Sequence, residues 1–282
     1  MELYTGTMNE LLGSSQLAGT TTSSSADLPQ NPSGAVEVAD GVMAEDYLFP
    51  SLRLSADLID DNLEYHRYHD SFTGLITLHG ETGVYNAGFV RMRRICLRQA
   101  MEDGAPWLSV INYDQEATDV CSVVVDDRNC TWSDRVEHSL TMDLVDLNMN
   151  IIQLLMVRPE FRGLNLGLWA ISLLTKKFNG LTVLRPLPLQ FCFKDDIEKL
   201  RLGDYGGSKS RATIRLRKHY GLAGFKRIRG SAYMGISDAC VRPSSEKFLQ
   251  DDVVIMPVSV LKGMDNPKGV KWADKWLGGD QG

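Results

Sequence analysis

The run Val157-Arg158-Pro159-Glu160-Phe161-Arg162-Gly163-Leu164-Asn165-Leu166-Gly167 carries the most legible chemistry in this chain. It follows a nearly continuous apolar stretch, Met149 to Val157, which suits a central strand covered on both faces. It leads into Leu168 to Phe178, a stretch of good helix formers with Lys176 and Lys177 in its last turn and Asn179-Gly180 as a stop. A strand that turns tightly into a helix aims unpaired backbone N–H groups at one point, above the positive end of the helix dipole. Such a turn receives anions, phosphate above all. Gly163 and Gly167 let the backbone approach a bulky diphosphate, and Arg158 and Arg162 add positive charge. Many strand–helix turns have this form and bind nothing, so the detail of the residues has to decide.

In that detail the run resembles the acyl-CoA loop of the GNAT acyltransferase superfamily, roughly V-x-P-x-x-R-G-x-G-x-G at the end of the fourth strand. It departs once, with Asn165 where the middle glycine is usual. Asparagine is the non-glycine residue that best tolerates a left-handed backbone. Downstream, Arg215-Leu216-Arg217-Lys218-His219-Tyr220-Gly221-Leu222-Ala223-Gly224-Phe225 looks like the superfamily's late helix, which ends in a Y-x-x-x-G-F turn. Between them, Leu181-Thr182-Val183-Leu184 is similar to its fifth strand, which splays from the fourth so that pantetheine can insert. The resemblance is best over residues 143–236.

The resemblance implies an α/β fold with a mixed, mostly antiparallel central sheet, splayed between its fourth and fifth strands and carrying helices on both faces. It implies an N-acyltransferase, in which an amine attacks the thioester carbonyl of acetyl-CoA or another acyl-CoA directly. Met156, Val157, Arg158, Arg162, Gly163, Leu164, Asn165, Leu166 and Gly167 then bind the acyl-CoA, and a backbone N–H near Met156 or Val157 meets the oxyanion. Tyr220 falls where the superfamily commonly has a tyrosine that protonates the departing thiolate. Many members have a glutamate four residues before the valine of the loop, and here that position is Gln153. Glutamine cannot accept a proton, although it can hold a water. Asp143, Asp146 and Asp114 are candidate substitutes. Gln153 and Asn165 equally favour a degenerate module that binds CoA or a protein partner without catalysis. The amine acceptor, small molecule or protein, is not legible, and the oligomeric state stays open with a homodimer among the options.

Composition narrows the classes. A hydrophobic share of 43% and a charged share of 23% suit a globular protein with a sizeable core. A formal net charge of −6 argues against broad nucleic-acid binding driven by phosphate. Two basic clusters remain. Lys209, Arg211, Arg215, Arg217, Lys218, Lys226, Arg227 and Arg229 either draw the phosphates of the acyl-CoA or form a solvated helix face. Arg91, Arg93, Arg94 and Arg98 either contact an acidic substrate or pair with nearby carboxylates. With no basic-then-apolar N-terminus and no apolar stretch of membrane-spanning length, the expectation is a cytoplasmic protein without membrane contact. The cysteines, Cys96, Cys121, Cys130, Cys192 and Cys240, are scattered and form no C-x-x-C pair, so neither a disulfide framework nor a metal site is expected.

The remaining elements must position that run. Residues 1–42 form a low-complexity tail rich in Ser, Thr and Gly, too poor in apolar residues to offset its ordering entropy, and residues 43–282 form the domain. Leu52 to Leu58 is expected as a strand or short helix and Leu75 to Leu78 as a strand. Ala87 to Ala100 fits a long strand or a helix, while Trp107 to Asn112 and Cys121 to Val125 read as strands. Ser210 to Tyr220 reads as a basic amphipathic helix stopping at Gly221, with closing strands at Ser231 to Ile236 and Asp252 to Val258. Residues 195–208 read as a glycine-containing loop, and the pair Trp272 and Trp276 as packing onto the body.

Overall fold

Strand-forming residues in alternation build the first part of the domain. In a computed structural model that describes residues 45–57, 65–112, 115–126, 128, 131–141, 148–188, 208–237 and 253–262, they give three long strands. These are β1 (Glu45–Ala56), β2 (His69–Gly80) and β3 (Gly83–Cys96), paired antiparallel in chain order. The β2–β3 turn is held from β1: the Asp46 carboxylate accepts hydrogen bonds from the Glu81 and Thr82 N–H groups at 3.2 and 3.1 Å. Its hydrogen bonds with Thr82, set against burial, hold its carboxyl below the usual range.

Three short helices follow, α1 (Leu97–Glu102), α2 (Trp107–Ile111) and α3 (Gln115–Val124). A two-residue ribbon pairs β4 (Val125–Asp126) with β5 (Thr131–Trp132). The chain then enters β6 (Asn148–Val157), turns into α4 (Leu166–Lys177) and returns as β7 (Leu181–Leu184). Next come α5 (Lys209–Leu222), β8 (Lys226–Arg227), β9 (Met234–Ser237), β10 (Val254–Pro257) and α6 (Val258–Lys262). The main sheet has the order β10-β1-β2-β3-β6-β7-β9-β8. Every neighbouring pair in it is antiparallel except β6–β7, which the crossover through α4 makes parallel.

Side-chain alternation along β6 and β7 separates two cores. Met149, Ile151, Leu181 and Val183 pack under the helices α1 to α3, with Val110, Val120 and Val124. Ile152, Leu184 and Ile236 face the other way, against Leu168, Ile171 and Leu174 of α4 and Ala223 beyond α5. A third core, with Leu48, Leu78, Phe161 and Trp169, seats the start of α4 on the first strands. The fold is therefore a mixed α/β architecture, a large and mostly antiparallel sheet with helices on both faces.

Two expected strands are helices. Trp107 to Asn112 lies in α2 and its cap, where Pro106 is the N-cap and its carbonyl accepts from the Val110 N–H at 3.2 Å. Cys121 to Val125 is mostly the end of α3. Its buried residues Ala117, Val120, Cys121 and Val124 recur at helical spacing, and only Val125 continues into β4. The β-branched run Val123 to Val125 imitates a strand locally, but the stripe that buries apolar area belongs to the whole helix. Ala87 to Ala100 resolves into both alternatives, β3 to Cys96 and α1 from Leu97. Helix α5 runs through Gly221 to Leu222, α4 begins at Leu166, and the last expected strand ends at Pro257, where α6 takes over. The low-complexity tail, most of residues 195–208, the pair Trp272 and Trp276, and Asp114, Asp143 and Asp146 lie outside the described residues.

Candidate functional site

The turn out of β6 has the local geometry its residues demand. Pro159 opens a short 3-10 turn, Pro159–Phe161, that buries Phe161. Gly163 then takes φ 84° and Asn165 φ 57°, both in the left-handed region, so asparagine does here what glycine usually does. Asn165 is the N-cap of α4, and its side chain makes no capping hydrogen bond. The N–H groups of the first turn are thus left for another acceptor. An added Cβ at Gly163 would meet nothing within 4 Å, whereas one at Gly167 would sit 3.2 Å from Leu155 Cδ2. Gly167 therefore brings α4 close onto β6, and Gly163 serves the turn.

The β6–β7 pairing runs from Met149↔Leu181 to Ile152↔Leu184 and stops there, while β6 continues to Val157. Beyond Ile152 that side of β6 has no strand partner from β7. On its other side β6 stays paired with β3 up to Gly88↔Val157, and the Arg158 N–H donates to the Ala87 carbonyl at 2.8 Å. Antiparallel ladders alternate, so Met156 bonds toward β3 and the Leu155 and Val157 N–H groups point to the open side. Of the two expected positions for an oxyanion donor, Val157 has the direction required.

A cavity of about 530 Å³ lies on that open side. Its walls come from the end of β6 (Leu155, Met156, Val157) and from the turn and the first residues of α4 (Arg162, Gly163, Asn165, Leu166, Gly167). Leu187 and Pro188, after β7, and Arg215, Leu216, His219 and Tyr220 of α5 close it. The two stretches singled out in the sequence thus meet across one space. Arg162 enters the lining while its Nε donates to the Val157 carbonyl at 3.2 Å. The Tyr220 ring lies tilted against those of His219 and Phe225, with centroids 5.9 and 6.0 Å away. Burial holds the His219 imidazole below its ordinary pKa, which favours its neutral form.

Three of the expected site residues stand elsewhere. Leu164 packs toward the core under α4. Arg158 turns from the cavity: its Nε sits 3.4 Å from Glu160 Oε2 and its guanidinium lies 5.9 Å over the Phe161 ring. Gln153 is the extra residue of a β-bulge, since the β3 register steps from Arg91↔Leu154 to Met92↔Ile152. It does not line the cavity, and its Nε2 donates to Glu116 Oε2 of α3 at 2.9 Å.

Glu116 is the residue that linear reading passes over. With Cys121 to Val125 read as a strand, Glu116 is one more carboxylate ahead of it; on a helix it stands beside the buried Ala117 and Val120 and reaches β6. Tyr233 belongs to the same region. Burial raises its phenol above the ordinary value, with the charges of Asp119 and Glu116 adding to the rise and Arg185 opposing it. The two described cysteines are held as thiols: burial pushes Cys121 up to about 12 and raises Cys96.

Fold and site together define a mixed α/β protein with a cavity at the end of a parallel strand pair inside a mostly antiparallel sheet. Comparison with protein-family models, curated proteins and solved structures finds no match. Among the described residues no helix is long and apolar enough to cross a membrane.

Proposed function

We propose that this protein is a GNAT-like N-acyltransferase that takes an acetyl or other acyl group from acyl-CoA and transfers it to an amine. The observation that carries the reading is the shared cavity: the turn from Arg162 to Gly167 and the α5 face with Arg215 and Tyr220 line the same space. Its volume of about 530 Å³ suits a ligand of cofactor size. Left-handed Gly163 and Asn165, the uncapped first turn of α4 and the cations Arg162 and Arg215 suit a diphosphate. On this reading the gap beside β6 past Ile152 serves as the splay expected of such enzymes, where a pantetheine arm can lie against the strand as a further strand would.

On this reading the acyl carbonyl sits at the end of that gap, and the Val157 N–H receives the developing oxyanion. The amine nitrogen attacks the carbonyl carbon, and the carbon–sulfur bond breaks. Tyr220 gives its proton to the thiolate. Placing both reactants side by side supplies most of the rate. We assign such an enzyme to the cytoplasm. A second reading, a CoA-binding module without chemistry, draws on Gln153, which offers no carboxylate at the bulge.

Calorimetric titration with acetyl-CoA tests the proposal. Micromolar binding is expected, lost in Arg162→Glu and in Leu216→Trp, which fills the cavity from α5. Leu216 is the better blocking position, because Gly167 already presses on Leu155 and a larger residue there would disturb the fold. A folded wild type that binds no acetyl-CoA would remove the acyltransferase reading.

A further inference from the structure

At the bulge, successive residues of β6 address both faces of the sheet. Ile152 and Leu155 both pack on the α4–α5 side, a spacing of three that only an inserted residue permits. Gln153, the inserted residue, reaches the α3 side and bonds Glu116. It lies one position beyond the last β6–β7 pair, where the two strands part. Arg185 follows directly on the last residue of β7, and Tyr233, which feels the charges of Glu116, Asp119 and Arg185, rises from the core under α3. The neighbouring carboxylate Asp119 is engaged by Gln115 Nε2 at 2.6 Å. Glu116 is held by Gln153 through Oε2, which leaves Oε1 to accept a proton.

Resting on the acyl-transfer reading above, we infer that Glu116 is the proton acceptor for the attacking amine, that Gln153 positions it, and that the amine enters from the α3 side. The carboxylate that the strand lacks is supplied by a helix between the third and fourth long strands. Donor and acceptor then approach the strand gap from opposite faces of the sheet. The new nitrogen–carbon bond forms as the carbon–sulfur bond breaks. The proton shed by the amine passes to Glu116, and the thiolate takes its proton from Tyr220. The side-chain amide of Gln153 does what a rigid donor should: it fixes one carboxylate oxygen and, being uncharged, leaves the proton to the other.

The test follows CoA thiol release from acetyl-CoA in the presence of 2-phenylethylamine, spermidine or a short peptide with a free α-amino group. Wild type is expected to transfer to at least one of them. Glu116→Gln should lower kcat by about 100-fold or more while acetyl-CoA affinity and thermal stability stay at wild-type values, since glutamine can keep the bond to Gln153. The double variant Glu116→Gln/Gln153→Glu exchanges the two groups across the same hydrogen bond and should recover at least about tenfold of the loss. A purely structural Glu116 would show neither the loss nor the recovery. Wild-type kcat in Glu116→Gln overturns the assignment, and so does a wild type that binds acetyl-CoA yet acylates none of the amines. Failure to bind acetyl-CoA at all overturns the acyltransferase reading and this assignment with it.

Discussion

The two faces of the sheet at β6 are built on different plans. On the α4–α5 face the chain passes from β6 through one tight turn into a helix that is apolar nearly all round, with Leu166, Leu168, Ala170, Ile171 and Leu174 all buried. Its cavity is bounded by residues close in sequence, apart from Leu187, Pro188 and the α5 contribution. On the opposite face three short helices, none longer than α3, cover Met149, Ile151, Leu181 and Val183. That face brings Glu116 to Gln153 across 37 residues and buries His69 against Val110. A ligand turn can be encoded locally, because its requirements are backbone conformation and close approach. A polar pair between a helix and a strand cannot, because it depends on where the helix lands.

Substitutions can separate the two faces or unite them. The largest effect is expected at their common seam. An added Cβ at Gly88 would lie 2.3 Å from the Met156 carbonyl oxygen, a backbone atom that cannot step aside. Gly88→Val should destabilise by about 4 kcal/mol in urea denaturation and weaken acetyl-CoA binding as well. Next, Leu166→Ala and Leu97→Ala each remove a fully buried leucine, one from each face. Both should cost about 3 kcal/mol, but calorimetry should find weaker acetyl-CoA binding only for Leu166→Ala, which opens the cavity wall. Equal binding by the two variants would count against the division of labour.

The third comparison uses acid. His69 Nε2 lies 2.9 Å from the Val110 carbonyl, and burial brings the imidazole down to about 4. The unfolded residue titrates near 6.5. Between these values the unfolded chain binds more protons, so stability is full above pH 6.5 and falls as the pH drops toward 4. The loss at His69 should be on the order of 2 kcal/mol, and His69→Gln should flatten that part of the stability profile. An unchanged profile would show that the helical face tolerates the charged ring. The smallest effect is expected at the turn. Asn165→Gly should leave stability within a few tenths of a kcal/mol, and Asn165→Ala should cost about 1 kcal/mol, because alanine lacks asparagine's tolerance of φ 57°.

What the residues determined by themselves was local. Met149 to Val157 had to be a buried strand, since its length and apolar run suit nothing else beside Pro159. The turn had to use left-handed positions at Gly163 and Asn165, and the helix had to end before Gly180, which approaches the Asn148 carbonyl too closely for any side chain. Tyr220 and its basic helix were legible for the same reason, although the helix runs past the expected stop at Gly221 to Leu222. The tertiary structure alone decided the rest. Trp107 to Ile111 and Gln115 to Val124 became helices because a helical stripe, packed over β6 and β7, buries Val110, Val120 and Val124 together. The register between β3 and β6 placed the bulge at Gln153, and the landing of α3 placed Glu116 against it. Backbone conformation answers to neighbours in sequence, whereas the meeting of two side chains 37 positions apart answers to how every intervening element packs.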